Sequence, residues 1–297
     1  MNIVVLGPGA IGTLWASHLS TSGHNVSLWG RSNDASLSIQ LDNFPAQRFP
    51  NQKKSALEHA DLILVTVKAW QVEQALSPLL YSLSPDCIIL FMHNGMGAVD
   101  SLSQVLRNFP VLIATTTHGA LKISDTKLSH TGKGETQIGA YNTLGKKCEF
   151  MVDVLNHSLP RVTWNEHIQQ ALWQKLAINC AINPLTALEQ CRNGDLAKEQ
   201  YQAKLSAIIK EVCAIMAAEG INFSSHELGL TVKKVIIATA KNYSSMHQDI
   251  ANRRRSEIDF ITGYVIEMAK QHHIKTPENE ALYQAIKQIE LSWNPHD

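Results

Sequence analysis

Asn2-Ile3-Val4-Val5-Leu6-Gly7-Pro8-Gly9-Ala10-Ile11-Gly12 decides the fold. Asn2 to Leu6 is a short β-run, and a G-x-G-x-x-G loop follows at once. Leu14, Trp15, His18 and Leu19 then set a helical pattern, Gly23 stops it, and Asn25 to Trp29 is a second β-run. Strand, glycine loop, helix and strand within about 30 residues form the dinucleotide-binding unit. Gly7 permits the tight turn, Gly9 lets the backbone approach a pyrophosphate, and Gly12 allows close helix–strand packing. Pro8, Ala10 and Ile11 complete the loop, and the helix N-terminus faces the anion. Glycines serving only a tight turn are the alternative.

The second strand ends Leu28-Trp29-Gly30-Arg31. An NAD site usually carries Asp or Glu near here for the ribose 2′-hydroxyl. A small residue followed by a guanidinium instead suits a 2′-phosphate, and Arg can also stack on adenine. This reads as NADP, with a solvated surface arginine as the alternative.

Leu62 to Val67, Cys87 to Met92 and Val111 to Thr117 are further apolar β-runs, as expected of strands buried on both faces. They end at Lys68, at His93-Asn94-Gly95-Met96-Gly97 and at His118-Gly119-Ala120. Ligands of open α/β sheets bind beyond the carboxyl ends of strands, which makes Lys68, Asn94 and Ala120 candidates. A solvated strand end at Lys68 and a plain turn at Asn94-Gly95 are the bland readings. Lys127 to Thr131 and Thr136 to Gly139, around Gly132-Lys133-Gly134, predict a hairpin beside the sheet.

From Glu166 the strand patterns stop. Helices are predicted over Glu166–Cys180, Lys198–Glu219, Ser225–Lys241, Ser245–His272 and Glu278–Ser292, with Pro277 in a first turn. Leu172 to Pro184 is apolar except for Lys175, Asn179 and Asn183, whose steps of four put them on one face. An unpaired buried amide costs on the order of 2–7 kcal/mol, so the stripe needs a partner, either structural or a ligand. Ser245 with Gln248 has capping-box form, and a serine-capped helix end also suits a small carboxylate. Glu257 falls on nearly the same face of that predicted helix; Ser256-Glu257-Ile258-Asp259 could equally be a solvated run or an internal Arg–Glu pair.

The 297 residues suffice for two domains. Basic and acidic residues balance at 26 each, so no footprint for nucleic acid or an anionic membrane is present. No apolar stretch reaches the roughly 18 residues of a membrane span. The first residues lack a basic n-region and read as a strand, not a signal peptide. Five dispersed cysteines without a C-x-x-C pair fit reduced thiols in the cytoplasm. No metal motif occurs among the thirteen histidines, and no G-x-S-x-G elbow supports serine hydrolysis. The predicted fold is α/β: an N-terminal Rossmann-type doubly wound sheet, residues 1–165, followed by an all-α C-terminal domain, residues 166–297.

Longer strings go further. Gly7-Pro8-Gly9-Ala10-Ile11-Gly12, Val67-Lys68-Ala69-Trp70-Gln71, His93-Asn94-Gly95-Met96-Gly97, Leu172-Trp173-Gln174-Lys175-Leu176-Ala177-Ile178-Asn179-Cys180, Ile182-Asn183-Pro184-Leu185-Thr186-Ala187 and Ser244-Ser245-Met246 with Glu257-Ile258-Asp259 closely resemble the ketopantoate reductase family. The resemblance spans essentially the whole chain, in order. It implies reduction of 2-dehydropantoate to (R)-pantoate with NADPH, in pantothenate biosynthesis. Lys175 would be the general acid. Asn179, Asn183, Asn193 and Ser245, with Asn94, would hold the substrate. Lys68, Asn94, Ala120 and Glu257 would lie at or near the cofactor and reacting centre, with Glu257 sharing in the chemistry, and Arg31 at the 2′-phosphate. The one small departure is Pro8 within the glycine loop. No metal, nucleic acid or membrane partner is implied, and the chain would act as a monomer or homodimer. The rivals are another NADP-dependent 2-keto acid reductase or hydroxyacid dehydrogenase of the same architecture, and a non-catalytic NADPH-binding regulator. The regulator would need the glycine loop but not Lys175, Asn179 and Asn183 together.

Overall fold

The computed structural model describes residues 1–293; residues 294–297, the tail of the predicted helical domain, lie outside the described residues. The chain divides into two compact units, Met1–His93 with Ala98–Ile168, and Asn94–Gly97 with Gln169 onward. The short Asn94–Gly97 segment therefore joins the helical unit, although it lies within the expected 1–165 domain.

Eleven strands build the first unit: β1 Asn2–Leu6, β2 Asn25–Trp29, β3 Ser36–Leu41, β4 Gln47–Pro50, β5 Leu62–Val65, β6 Ile88–Phe91, β7 Val111–Thr116, β8 Gly119–Lys122, β9 Lys127–Gly132, β10 Thr136–Ala140 and β11 Val162–Trp164. Seven form one sheet in the order β11-β10-β7-β6-β5-β1-β2. β2, β1, β5, β6 and β7 run parallel, and β10 lies antiparallel to β7. β5 and β6 are buried at every residue, which is why they are continuous apolar runs without alternation. The helix Ala10–Thr21 packs Leu14, Trp15 and Leu19 into the core with Ile3, Val5 and Leu64. The chain leaves β1 toward β2 on one side and returns to β5 on the other, so the order reverses at β1, where such sheets bind ligands.

β3 and β4, absent from the predicted strands, join β9 and β8 in a second sheet of order β4-β3-β9-β8. The predicted hairpin does not form. β9 pairs with β8 and β3, whereas β10 pairs with β7 and β11. Gly134 allows the crossing between sheets: a Cβ there would sit 2.3 Å from the Thr117 carbonyl carbon. Thr117 N–H then donates to the Glu135 carbonyl at 2.9 Å.

The second unit is helical: Ile168–Leu188, Glu199–Ala218, Ser225–Ala238, Ser245–Ala251, Thr262–Gln271 and Pro277–Ser292. Its core gathers Trp173, Leu176, Cys180, Ile208, Val212, Met216, Leu228, Ile258 and Val265. Helix Ile168–Leu188 starts at the boundary and continues past Pro184, so the proline is internal and leaves one backbone bond unmade.

The predicted single helix Ser245–His272 is broken. Its first piece ends at Ala251 in a Schellman motif: Arg253 has φ 50°, its N–H donates to the Ile250 carbonyl, and Arg254 N–H donates to the Asp249 carbonyl. Ser256 then gives its N–H and hydroxyl to Glu290 at 2.8 and 2.7 Å, so this backbone is held by a distant carboxylate and not by a helical carbonyl. A 3-10 turn, Ile258–Phe260, precedes the next helix. Among the described residues no helix is long and apolar enough to cross a membrane, and all five cysteines are free.

Candidate active site

The glycine loop closes tightly at two glycines and stays open at the third. Gly7 has φ +92°, and a Cβ there would meet Val67 Cγ1 at 2.5 Å; one on Gly12 would meet the Gly7 carbonyl at 2.3 Å and Thr66 Oγ1 at 2.4 Å. A Cβ on Gly9 would find nothing nearer than the Gly7 carbonyl at 4.0 Å. The following helix has Gly9 at its N-cap, no side-chain cap and no acidic residue in its first turn. Backbone N–H groups at such an end are left for an anion. Ala10 and Ile11, in that first turn, pack against the core.

Pro8 explains another residue. A Cβ on Gly30 would sit 2.7 Å from Pro8 Cγ, so the residue after β2 must be small because the loop packs on it. Gly30 N–H donates to Asn51 Oδ1 at 3.0 Å, and Asn51 Nδ2 donates to the carbonyls of Ser32 and Asp34, both at 2.9 Å. Gln52 Nε2 adds a bond to the Gly30 carbonyl at 2.7 Å. These two side chains hold the turn carrying exposed Arg31, and no motif announced them.

Lys68 caps the 3-10 turn Ala69–Gln71, donating its N–H to Gln71 Oε1 at 3.3 Å. Ala120 lies on β8, a strand of the second sheet, and not in a loop after β7 as the sequence pattern implied. Lys122, absent from the expected residues, donates from Nζ to the Pro8 carbonyl at 3.3 Å. An uncapped helix end, open space at Gly9 and an exposed arginine on a braced turn suit a phosphate-bearing dinucleotide.

In the helical unit Asn94, Glu257 and Lys175 come together. Glu257 is 4% exposed and accepts from Asn94 Nδ2 at 3.3 Å. The Asn94 segment is fixed by Met96 N–H on the Phe260 carbonyl at 2.8 Å. Gly95, at φ +79°, brings its backbone against Phe260, where a Cβ would meet that carbonyl oxygen at 2.4 Å. Glu257 thus stands at the head of the 3-10 turn, not on a helix face shared with Ser245. Burial lowers the Lys175 ammonium to about 8, against the pull of Glu257, whose charge favours the protonated form.

Asn179 and Asn183 continue the stripe on helix Ile168–Leu188, and Asn183 is buried at 8% exposure. Neither side-chain amide hydrogen-bonds a described residue. Thr186, one turn on, donates from Oγ1 to Ser244 Oγ at 2.8 Å. Ser244, and not Ser245, is the helix cap: its Oγ accepts from His247 N–H at 3.0 Å. Ser245 is exposed at the first helical position, its hydroxyl not needed by the cap. Asn193 begins a 3-10 turn; its N–H donates to the Asn242 carbonyl at 3.0 Å and Nδ2 to Thr239 Oγ1 at 2.9 Å. Its Oδ1 is buried without a hydrogen-bond partner among the described residues.

Two family models match the chain. One, described as ketopantoate reductase PanE/ApbA, covers residues 3–143, and its C-terminal counterpart covers 167–290. The 2-dehydropantoate 2-reductase of Vibrio cholerae is 57% identical, covering 99% of each chain, and that of Yersinia pestis is 40% identical over 99% of this chain and 96% of its own. Among solved structures, a ketopantoate reductase from Ralstonia eutropha superposes with TM-score 0.88 over the full length of both chains at 25% identity. A D-mandelate dehydrogenase complex reaches 0.89 at 23% identity over 99% of this chain and 100% of its own, a likeness of fold alone. The glycine loop, the lysine-bearing polar stripe and these two matched halves place the chain in the ketopantoate reductase family.

Proposed function

We propose that this chain reduces 2-dehydropantoate to (R)-pantoate with NADPH, as a step in making pantothenate. The observation that carries the reading is Lys175: an ammonium with its pKa lowered to about 8, beside Glu257 and in line with two amides that bond no described residue. The 57% identity with the Vibrio cholerae enzyme supports the choice of substrate.

The loop Gly7 to Gly12 and the helix end behind it would hold the pyrophosphate, and Arg31 the 2′-phosphate. Lys68 and Ala120 would complete the cofactor's seat. NADPH, when bound, supplies hydride to the keto carbon. Lys175 hydrogen-bonds the keto oxygen, stabilises the charge growing there and delivers a proton from Nζ. Glu257 keeps Lys175 protonated while it waits, and its carboxylate accepts from the substrate's 4-hydroxyl. Asn94 orients that carboxylate by donating to it. Asn179, Asn183, Asn193 and Ser245 hold the substrate's oxygens. The work is that of a cytoplasmic monomer or homodimer; a similar ketopantoate reductase from Staphylococcus aureus, 25% identical, is dimeric.

Purified protein mixed with NADPH and ketopantoate should consume the nicotinamide absorbance. No loss with ketopantoate, alongside turnover of keto acids lacking the 4-hydroxyl, would move the chain to the wider group of 2-keto acid reductases.

A further inference from the structure

Every group proposed to hold the substrate by amide or hydroxyl is neutral, Glu257 is an acid, and Lys175 gives up its proton during the reaction. A 2-keto acid is a monoanion, so this set offers its carboxylate no lasting cation. One guanidinium stands close in the fold. Arg192 immediately precedes Asn193, is exposed, and lies over the Tyr243 ring at 5.3 Å from its centroid. Tyr243 in turn stacks on His247 with centroids 4.4 Å apart and planes 21° apart.

This stack bridges the two segments that carry Asn193 and Ser245. Tyr243 sits between Asn242, whose carbonyl accepts from Asn193 N–H, and the cap Ser244. The acid next to Arg192 in the turn is already engaged: Asp195 accepts from Lys198 Nζ at 2.7 Å and from the Arg192 backbone N–H at 3.1 Å. The ring face orients the guanidinium, and Asp195, shared with Lys198, offsets its charge only in part. Beside it, Asn193 Oδ1 is buried and wants a hydroxyl donor.

We propose that Arg192, seated on Tyr243, is the cation that draws the 2-keto acid's carboxylate to the Asn193–Ser245 end of the helical unit, and so sets substrate affinity. Tyr243 is its positioning residue. The inference rests on the assignment of Asn193 and Ser245 to the substrate.

The test is steady-state kinetics of the intact enzyme at saturating NADPH, with ketopantoate varied at several salt concentrations. Arg192→Gln should raise KM for ketopantoate about 3- to 10-fold, the scale of one partly screened charge, and flatten its rise with salt. kcat should stay within about two-fold, since the charge acts before the chemistry. Tyr243→Leu should show a smaller rise in KM, and Arg192→Lys an intermediate one because the charge survives without the stack. NADPH affinity, followed by its fluorescence, should not move. Asn193→Ala and Ser245→Ala run beside them. If those two raise KM while Arg192→Gln leaves KM and its salt dependence unchanged, the proposal falls and the site stands. If Asn193→Ala and Ser245→Ala are silent, the site assignment falls and the proposal with it.

Discussion

The glycine loop and the polar stripe are both polar interruptions in apolar surroundings, yet they are encoded in opposite ways. The loop is contiguous, and its proposed work is done by backbone: a positive φ at Gly7, room at Gly9, contact at Gly12. The helical unit assembles its groups from five places in the chain, at Asn94, Lys175 to Asn183, Asn193, Ser245 and Glu257. It holds them with side-chain bonds that span long stretches of sequence, such as Asn94 to Glu257 and Thr186 to Ser244. A backbone site survives most substitutions outside its glycines. A site of collected side chains is exposed to single changes, each with its own signature.

The largest effect should therefore fall in the helical unit. Lys175→Ala removes the proposed proton donor and should lower the rate by about 10²–10⁴-fold, while NADPH fluorescence titration shows binding retained. Turnover within a few-fold of wild type would make Lys175 a buried structural lysine. The pH profile sharpens the point. The acid form of a group at about 8 is present below that pH and lost above it, so reduction should fall about tenfold per pH unit on the alkaline side.

The first unit is broken most sharply at Arg31, the side chain proposed for the 2′-phosphate. A charge-assisted bond is worth about 1.5–3 kcal/mol, so Arg31→Ala should weaken NADPH about 10- to 150-fold and barely alter NADH. Equal losses with both cofactors would show that Arg31 does not read the 2′-phosphate. The Asn51 and Gln52 bonds hold the turn by its backbone, so the turn should keep its shape without the Arg31 side chain.

These regions also differ in how legible they were. β1, the loop, its helix and β2 could be read directly, because each residue's reason lies within a few neighbours. Pro8 could be seen but not explained; its partner Gly30 sits on the next strand. The break after Ala251 could not be read, because the αL position is filled by Arg253 in place of the usual glycine. Losing that break put Glu257 on the wrong face. The misread hairpin has the same origin: Gly134 marks a crossing between two sheets, and glycine chemistry alone does not tell a crossing from a turn. Ser244 and Ser245 were confused because either can head a helix. Ser244 takes the cap through its bond from His247 N–H, and the bond it accepts from Thr186 joins residues far apart in sequence.

A moderate effect is predicted at Asn183. Removing its amide should weaken ketopantoate by about 1–3 kcal/mol, read as a raised KM at little change in NADPH affinity. Because the amide bonds no described residue, thermal stability should fall little. A large drop in melting temperature would instead reveal a structural role beside Pro184.

The smallest effect asks how far the collected site depends on residues that would touch no ligand. Thr186 is fully buried, and its hydroxyl ties the helix carrying Asn183 to the cap that sets Ser245. Thr186→Val keeps the shape and deletes the bond, at a cost of about 1 kcal/mol in stability. Ser244 still accepts from His247 N–H, so the helix should keep its start. What loosens is the register between the Ser245 hydroxyl and the Asn183 amide. KM for ketopantoate should rise about 2- to 5-fold, the equivalent of that one bond, with NADPH affinity unchanged. Thr186→Ser, which retains the hydroxyl, should restore most of the affinity. If valine and serine behave alike, the bond does not position Ser245, and the helix start is held by the Ser244 cap alone.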